Sequence, residues 1–275
     1  MTTFSLRPAS DLSIPELADL ITRGFEGYFI SVELDAPALF EMIRRNGIDL
    51  LTSRVILTDG EAVGLALIAR RGWTSRLALM GMVTSARNGG AGTWTMERLI
   101  EEARVRGEKE MALEVIQQNT AGIKLYQKVG FKTVRNLVGY KLEKPQAEST
   151  DALQELDIRA FGGLVTMHGL SDLPWQASGE TVSNFTPPSR AYRLGDAYCL
   201  ISNPSAENVF ISSLLVLPDG RGQGQAVRLL KAVFAAFPQK VWHVSAICPE
   251  EVGFVFERAG MKREELSQFQ MRLEL

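Results

Sequence analysis

The sequence predicts an α/β chain built as two like domains in tandem. Three observations carry this. A loop with the spacing Arg-x-x-Gly-x-Gly/Ala occurs twice, at Arg87, Gly90 and Gly92 and again at Arg221, Gly224 and Ala226. Each loop stands between an apolar, strand-like run and an amphipathic helix, and a second strand and a short helix ending in glycine follow. The copies keep a near-constant separation, 134 residues from Arg87 to Arg221 and 130 from Gly130 to Gly260. Two copies of one supersecondary plan argue for two domains, and 275 residues suffice for both. The polar stretch Lys144-Pro145-Gln146-Ala147-Glu148-Ser149-Thr150 sets the expected division. It gives a first domain over 1–144, a linker over 145–152 and a second domain over 153–275.

Taken in order, Phe4 to Pro8 alternates as a short first strand. Ser13 or Asp11 caps the next helix, with Pro15 near its first turn. Residues Ile14 to Gly24 and Ala36 to Arg45 read as helices, joined by Phe25-Glu26-Gly27-Tyr28-Phe29. Arg54 to Leu57, Asp59-Gly60 and Ala62 to Ile68 read as a hairpin with a two-residue turn. Leu77 to Val83 is the strand entering the first loop. The helix beyond it carries Met96, Leu99, Ile100 and Ala103 on one face, with Gly107 as its C-terminal cap. Met111 to Ile116 is a strand, a helix with Tyr126 stops at Gly130, and Lys132 to Leu142 supplies closing strands. In the second half, strands are expected at Ala191 to Arg193, Ala197 to Ser202 and Val209 to Leu217. A helix with an apolar stripe from Ala226 to Phe237 ends at Pro238. Val241 to Ile247 is then a strand and Glu250 to Arg258 a helix.

Composition excludes several classes of function. Lys plus Arg is 30 and Asp plus Glu is 32, a net charge of −2. No bulk electrostatic pull toward nucleic acid or anionic membrane follows from that balance. No run approaches the ~18 apolar residues of a membrane span, and the first residues lack a signal-peptide pattern. Cys199 and Cys248 read as reduced, buried thiols of a cytoplasmic protein. With only His168 and His243 in the chain, no metal site is expected, and His243 reads as a strand-face residue.

A glycine loop opening a helix is an anion site, because the first helical amides lack internal partners and the helix dipole favours negative charge. Glycine lets a phosphate approach the backbone closely. The first loop is neither a Walker A motif, since Thr93 and Trp94 follow Gly92, nor a dinucleotide fingerprint, since Thr95 stands where a third Gly or Ala is needed.

The residues downstream sharpen the reading. Leu113-Glu114-Val115, Asn119, Leu125-Tyr126 and Gly130-Phe131, following the Arg87, Gly90, Gly92 loop, resemble the GCN5-related N-acetyltransferase (GNAT) superfamily. The resemblance is strong from about Gly81 to Tyr140 and moderate from about Ser212 to Gly260. It implies, in each domain, a mixed, mostly antiparallel sheet with a splayed parallel strand pair and helices on both faces. It implies acetyl-CoA as cosubstrate, no metal, and a small-molecule or peptide amine as acceptor, in a monomer whose domains mimic a dimer or in a homodimer. The loop Arg87, Asn88, Gly89, Gly90, Ala91, Gly92 and Thr93 would hold the pyrophosphate. A bulged strand at Met82 and Val83 would offer backbone groups to the pantetheine arm and the acetyl carbonyl, and Asn119 would help hold that arm. Tyr126 matches the acid that protonates the leaving thiolate, and Glu114 matches a base. Phe25, Tyr28 and Phe29 fall where the acceptor pocket is walled, or serve as core.

Counting 130 residues on, Glu114, Asn119 and Tyr126 fall opposite Val244, Pro249 and Phe256, none of which can exchange a proton in this chemistry. Catalysis is therefore expected in the first domain, with the second a degenerate copy. A non-catalytic acyl-CoA-binding module is the competing reading, and the loops alone fit it equally well.

Overall fold

The computed structural model describes residues 3–143, 145 and 149–275. The chain forms two compact units. Unit 1 comprises Met1–Val134 together with Phe269–Leu275, and unit 2 comprises Arg135–Gln268.

Unit 1 begins with β1 (Phe4–Pro8), α1 (Ile14–Gly24) and α2 (Ala36–Asn46). A capping box opens α1. Ser13 Oγ accepts from the Glu16 N–H, and Glu16 Oε2 accepts from the Ser13 N–H at 2.7 Å. Asp35 caps α2 through the Ala38 N–H, and Gly47 ends it in the left-handed conformation. Then come β2 (Arg54–Thr58), β3 (Glu61–Arg71), β4 (Thr74–Met82), α3 (Ala91–Val105), β5 (Glu110–Ile116), α4 (Thr120–Lys128) and the start of β6 (Lys132–Glu143). Strands β1 to β4 pair antiparallel in sequence order, and β5 joins β4 in parallel. Strand β3 is buried on both faces. Ala66 and Ile68 pack with Met96, Leu99 and Ile100 of α3, while Leu65 and Leu67 point the other way and α1 lies against β3 and β4.

In unit 2 the chain runs through β7 (Gln154–Leu156), α5 (Ile158–His168), α6 (Gly179–Ser183), β8 (Arg190–Leu194), β9 (Ala197–Ile201), β10 (Asn208–Val216), α7 (Gln225–Ala236), β11 (Val241–Pro249), α8 (Phe254–Arg258) and the first part of β12 (Lys262–Glu274). Its strand order is β12-β6-β11-β10-β9-β8-β7, with β10 and β11 the parallel pair. Here β9 separates two apolar layers. Cys199 and Ile201 pack with Leu229, Leu230, Val233 and Phe234 of α7, whereas Tyr198 and Leu200 pack with Phe161 and Val165 of α5. The expected fold is found, a mixed and mostly antiparallel sheet with helices on both faces in each unit. Both cysteines are buried and free, and among the described residues no helix is long and apolar enough to cross a membrane.

The division differs from the one read at 145–152. Lys144, Gln146, Ala147 and Glu148 of that polar stretch lie outside the described residues. The compact units instead exchange strands. Residues 135–143 of β6 pair with β11 of unit 2. The place of a closing strand beside β5 goes to the end of β12, with the Leu275 N–H donating to Lys109 O at 3.0 Å. Met271 and Leu273 belong to the apolar core of unit 1. Such pairing joins residues far apart in sequence, and a polar segment carries no sign of it.

Removal of Phe269–Leu275 is therefore expected to loosen unit 1, although it trims the far end of the chain. Hydrogen exchange at Glu110–Ile116 should accelerate selectively, and Met271→Ala alone should cost about 2–5 kcal/mol in chemical denaturation.

Candidate active site

Strands β4 and β5 pair only from Thr74↔Glu110 to Leu77↔Leu113, and each then runs on past the end of the shared ladder. The strands splay from that point. An irregularity sits at the same place. Ile68 faces Leu77 and Leu67 faces Leu79, so Ala78 is an extra residue in β4. Unit 2 repeats the device, with a parallel ladder ending at Phe210↔His243 and Ser212 as the extra residue in β10. The bulge expected at Met82 and Val83 is thus corrected to Ala78. Met82 sits in register opposite Gly64, and the Val83 N–H bonds to Val63 O at 2.8 Å, so neither backbone is freed by a bulge.

Beyond β4 the chain turns through Asn88 and Gly90, at φ 65° and 88°, and enters α3 at Ala91. Residues Asn88, Gly89 and Gly90 are exposed. Among the described residues, the N–H groups from Asn88 through Gly89, Gly90, Ala91 and Gly92 to Thr93 have no backbone acceptor. This run of donors at a helix start suits a phosphate-bearing ligand. Gly92 is required by space, since a Cβ there would lie 2.8 Å from Leu125 Cδ1 and 3.0 Å from Met82 Cε.

Arg87 does something other than meet a phosphate. Its Nε donates to Met82 O at 2.9 Å, and Nη2 donates to Gly24 O at 3.1 Å and Glu26 O at 2.8 Å. The guanidinium ties the loop to the end of α1, so the expected phosphate-side contact is corrected to a structural clamp. Arg221 does the same in unit 2, donating to Val216 O and His168 O.

Asn119 caps α4. Its Oδ1 accepts from the Gly122 N–H at 2.9 Å, and its Nδ2 donates to Tyr28 Oη at 3.3 Å. Tyr28 packs edge-on against Phe25 and Phe29, and the Phe25 ring lies on Gly81, where a Cβ would come within 2.5 Å of it. Burial raises the pKa of the Tyr28 phenol, and the Asn119 hydrogen bond partly offsets this. Tyr126, on α4, is only 8% exposed. Its ring meets Phe131 edge-on at 6.0 Å, and among the described residues its hydroxyl has no hydrogen-bond partner. Desolvation, with a smaller contribution from the neighbouring Tyr28, pushes its pKa well above the ordinary phenol value. It therefore stays protonated across the physiological range.

Glu114, just past the end of the β4–β5 ladder, forms an ion pair with Arg76. Its Oε2 accepts from Arg76 Nε at 2.7 Å and Nη2 at 2.6 Å, with the two side chains 3% and 6% exposed. A carboxylate held this way has its charge met by the guanidinium in a layer closed to solvent. The geometry makes Glu114 half of a buried ion pair that joins the two strands before they splay. Arg76 was not foreseen from the sequence; the parallel register sets it opposite Ala112, two residues before Glu114 on the same face of β5, and the two side chains bridge that offset.

Residues 14–131 match the family model for the Acetyltransferase (GNAT) family. Unit 1 is a GNAT acetyltransferase domain. Solved structures extend the fold over the whole chain. A GCN5-related N-acetyltransferase from Sphaerobacter thermophilus is 21% identical with a TM-score of 0.70, covering 98% of this chain and 95% of its own. A tandem GNAT protein from the clavulanic acid biosynthesis pathway is 14% identical with a TM-score of 0.66, covering 100% and 98%. A GCN5-related N-acetyltransferase from Kribbella flavida is 16% identical with a TM-score of 0.62, covering 100% and 71%. A search of curated proteins found no match.

Structural equivalence refines the comparison between the GNAT domain and unit 2. The Phe131 N–H bonds to Tyr126 O and the Met261 N–H to Phe256 O, both at 3.0 Å, so Phe256 is the counterpart of Tyr126. In the strands, Arg76 faces Ala112 where Phe210 faces His243. This sets Ser245 rather than Val244 at the place of Glu114. Unit 2 thus lacks the ion pair as well as the phenol.

Glu114→Gln should then act first on stability, costing about 3–5 kcal/mol by leaving the buried Arg76 without its counter-charge. In urea titrations the double variant Arg76→Met/Glu114→Leu should recover most of that loss. A rate defect in Glu114→Gln with unchanged stability would return the carboxylate to the chemistry.

Proposed function

We propose that the GNAT domain of unit 1 transfers an acetyl group from acetyl-CoA to a primary amine, with Tyr126 as the proton donor. The observation that carries this reading is a buried, protonated phenol with no hydrogen-bond partner among the described residues, in the domain that matches the family model. The glycine loop of that domain presents a run of unbonded amides. Nothing else among the described residues combines these features.

Acetyl-CoA supplies an activated acyl group as a thioester. The amides from Asn88 to Thr93 hold its diphosphate, and the αL turn at Asn88 and Gly90 lets the backbone approach. Past Ala78, β4 has no ladder partner on the side of β5, and its backbone groups there serve the pantetheine arm. Met82 and Leu125, which meet at Gly92, bound this space, and the flexible Met82 is the side chain that shifts to admit the arm. Asn119 acts on the ligand indirectly, by capping α4 and anchoring Tyr28.

The amine nitrogen bonds to the carbonyl carbon, the carbon–sulfur bond breaks, and Tyr126 Oη gives its proton to the departing sulfur. Both groups sit in a desolvated place that disfavours the charged form of each. A raised phenol pKa is therefore matched by a raised affinity of the sulfur for a proton. The acceptor ammonium loses its proton to water before the attack, because Glu114 remains with Arg76, and after the carbon–sulfur bond breaks the extra proton on the amide nitrogen returns through water to the Tyr126 phenolate. The rate should then follow the free-amine fraction of the acceptor. That fraction is about one in a thousand at neutral pH for a lysine-type amine of pKa ~10.4, and far larger for an α-amine of pKa ~7.7–8.0.

Tyr126→Phe is expected to lower kcat at least about tenfold while leaving the KM for acetyl-CoA and the melting temperature close to wild type. Steady-state kinetics on an amine panel, with free CoA thiol as readout, check this. Unchanged turnover would remove Tyr126 from the mechanism.

A further inference from the structure

Tyr126 enters each cycle as a phenol and leaves the acid step as a phenolate, so a second turnover needs its proton back. The residue packs in the apolar core of unit 1 and is only 8% exposed. Among the described residues its hydroxyl has no hydrogen-bond partner. A phenolate left there is poorly solvated and poorly placed to take a proton from bulk water.

Tyr28 is the polar group nearest to this place that also meets solvent. Asn119, the N-cap of α4, and Tyr126 are seven residues apart and so lie on one face of that helix. Long helical side chains point back toward the helix N-terminus, which brings the Tyr126 phenol toward the cap. Tyr28 Oη is held at the same cap, 3.3 Å from Asn119 Nδ2. After desolvation, Tyr28 is the other cause of the raised Tyr126 pKa, as two neighbouring phenols require. Tyr28 itself is half-buried, and Gly27 and Phe29 on either side of it are exposed.

The direction of the bond between Asn119 and Tyr28 is fixed. Asn119 Oδ1 accepts from the Gly122 N–H at 2.9 Å, which only the oxygen end of the amide can do. Nδ2 is therefore the end that faces Tyr28, and the Tyr28 oxygen accepts. The hydrogen of the Tyr28 hydroxyl has no acceptor among the described residues and is left to donate elsewhere. Gly122 makes room for this arrangement. A Cβ there would lie 2.6 Å from Asn119 Nδ2, and glycine is otherwise unfavourable inside a helix. Unit 2 lacks every one of these parts. Counting 130 residues on, Phe256, Pro249 and Val252 stand for Tyr126, Asn119 and Gly122.

We propose that Tyr28 hands Tyr126 its proton back after each transfer, with Asn119 setting the direction of the hand-over. This rests on Tyr126 being the acid. When the sulfur leaves with the Tyr126 proton, the phenolate oxygen draws the Tyr28 O–H, directly or through one water. The Tyr28 hydrogen passes to Tyr126. The Tyr28 oxygen takes in its place the proton that the amide nitrogen has released to water. Tyr28 ends as it began, and the net change is one proton moved from the nitrogen to Tyr126. The Asn119 N–H steadies the Tyr28 oxygen while it lacks its hydrogen. Burial raises the Tyr28 pKa, so this hydroxyl is protonated at neutral pH when the cycle starts. Tyr28 thus acts through Tyr126 and not on the reacting bonds.

The test is rapid-quench kinetics on wild type, Tyr28→Phe, Asn119→Asp and Tyr126→Phe, with acetyl-CoA and an amine that the wild type accepts. Tyr126 starts protonated, so the first turnover needs no hand-over. Tyr28→Phe is expected to keep the first turnover within about twofold of wild type and to lower steady-state kcat at least about tenfold. The trace is then a burst of about one equivalent of free CoA followed by slow release. The KM for acetyl-CoA and the melting temperature should stay close to wild type. Asn119→Asp keeps an oxygen for the Gly122 N–H but offers Tyr28 an acceptor in place of a donor. The Tyr28 O–H then turns away from Tyr126, and the same burst is expected. Should Tyr28→Phe not fold, Asn119→Asp decides by this readout. Unchanged kcat in Tyr28→Phe would overturn the proposal. So would a first turnover slowed as much as the later ones, which would make Tyr28 a structural support. Tyr126→Phe should slow the first turnover itself. Full activity in Tyr126→Phe would overturn the acid and the hand-over together, whereas a slow Tyr126→Phe beside a normal Tyr28→Phe overturns the hand-over alone.

Discussion

In each unit one arginine of the glycine loop ties the end of a strand to the end of a helix. Arg87 bonds the last carbonyl of β4 and two carbonyls at the end of α1. Carbonyls at a helix end lack intrahelical donors and carry the negative end of the helix dipole. A guanidinium satisfies both needs, and its planar fork reaches carbonyls on two elements at once, which a lysine ammonium cannot do with the same geometry. With the side chain turned toward α1, the loop is stiffened from behind and its amides point away from the clamp. The clamp therefore prepares an anion site without contributing a charge to it. Its repetition at Arg221, on the equivalent strand end and helix end, shows that both copies keep this frame whatever each does with it.

The second constraint is the ending of the parallel ladder. Strands β4 and β5 stay together through Leu77 and Leu113 and separate at the extra residue Ala78. Arg76 and Glu114 sit at this fork. A buried ion pair is a weak source of net stability, because removing two charges from water costs most of what their attraction returns. Its value is in discrimination. A slip of the ladder by one residue would turn one of the charges to the opposite face, away from its partner. In unit 2 the same fork carries Phe210, Ser212 and Ser245 and still splays. The bulge and the loop are thus enough to open the strands, and the charged pair belongs to unit 1 alone.

The parts of this fold that were legible in the sequence are those governed by local rules. Helix α1 was readable from Ser13, Pro15 and its apolar spacing, and the β2–β3 hairpin from Asp59-Gly60. The tandem plan was readable because a glycine loop has a spacing that survives divergence. What escaped was set by partners distant in sequence. Nothing in Lys132 to Leu142 says that most of this strand belongs to the other unit, and nothing in Phe269–Leu275 says that it completes the first. The functional residues divide in the same way. Tyr126 was found because the motif around it is local. Arg87 was recognised as part of a motif, but its bonds to carbonyls of β4 and the end of α1 were not foreseen, since an arginine beside an anion site and an arginine bound to carbonyls look alike in one dimension. Glu114 was read as a free carboxylate because its counter-charge lies 38 residues away.

The two copies show how one frame can be committed to different uses by moving bulk rather than backbone. In unit 1, Phe25 covers Gly81 and Tyr28 reaches Asn119, so aromatic side chains close the space near the end of α1 and leave a phenol beside it. In unit 2 the bulk is transferred to the strand, where Leu215 stands in the place of Gly81, and the helix end carries Gly169 instead. A catalyst needs a small, dry site in which a proton donor is held against one atom, and close aromatic packing provides it. Unit 2 carries Phe256 where unit 1 carries Tyr126, so the shift of bulk and the absence of the phenol fall in the same copy.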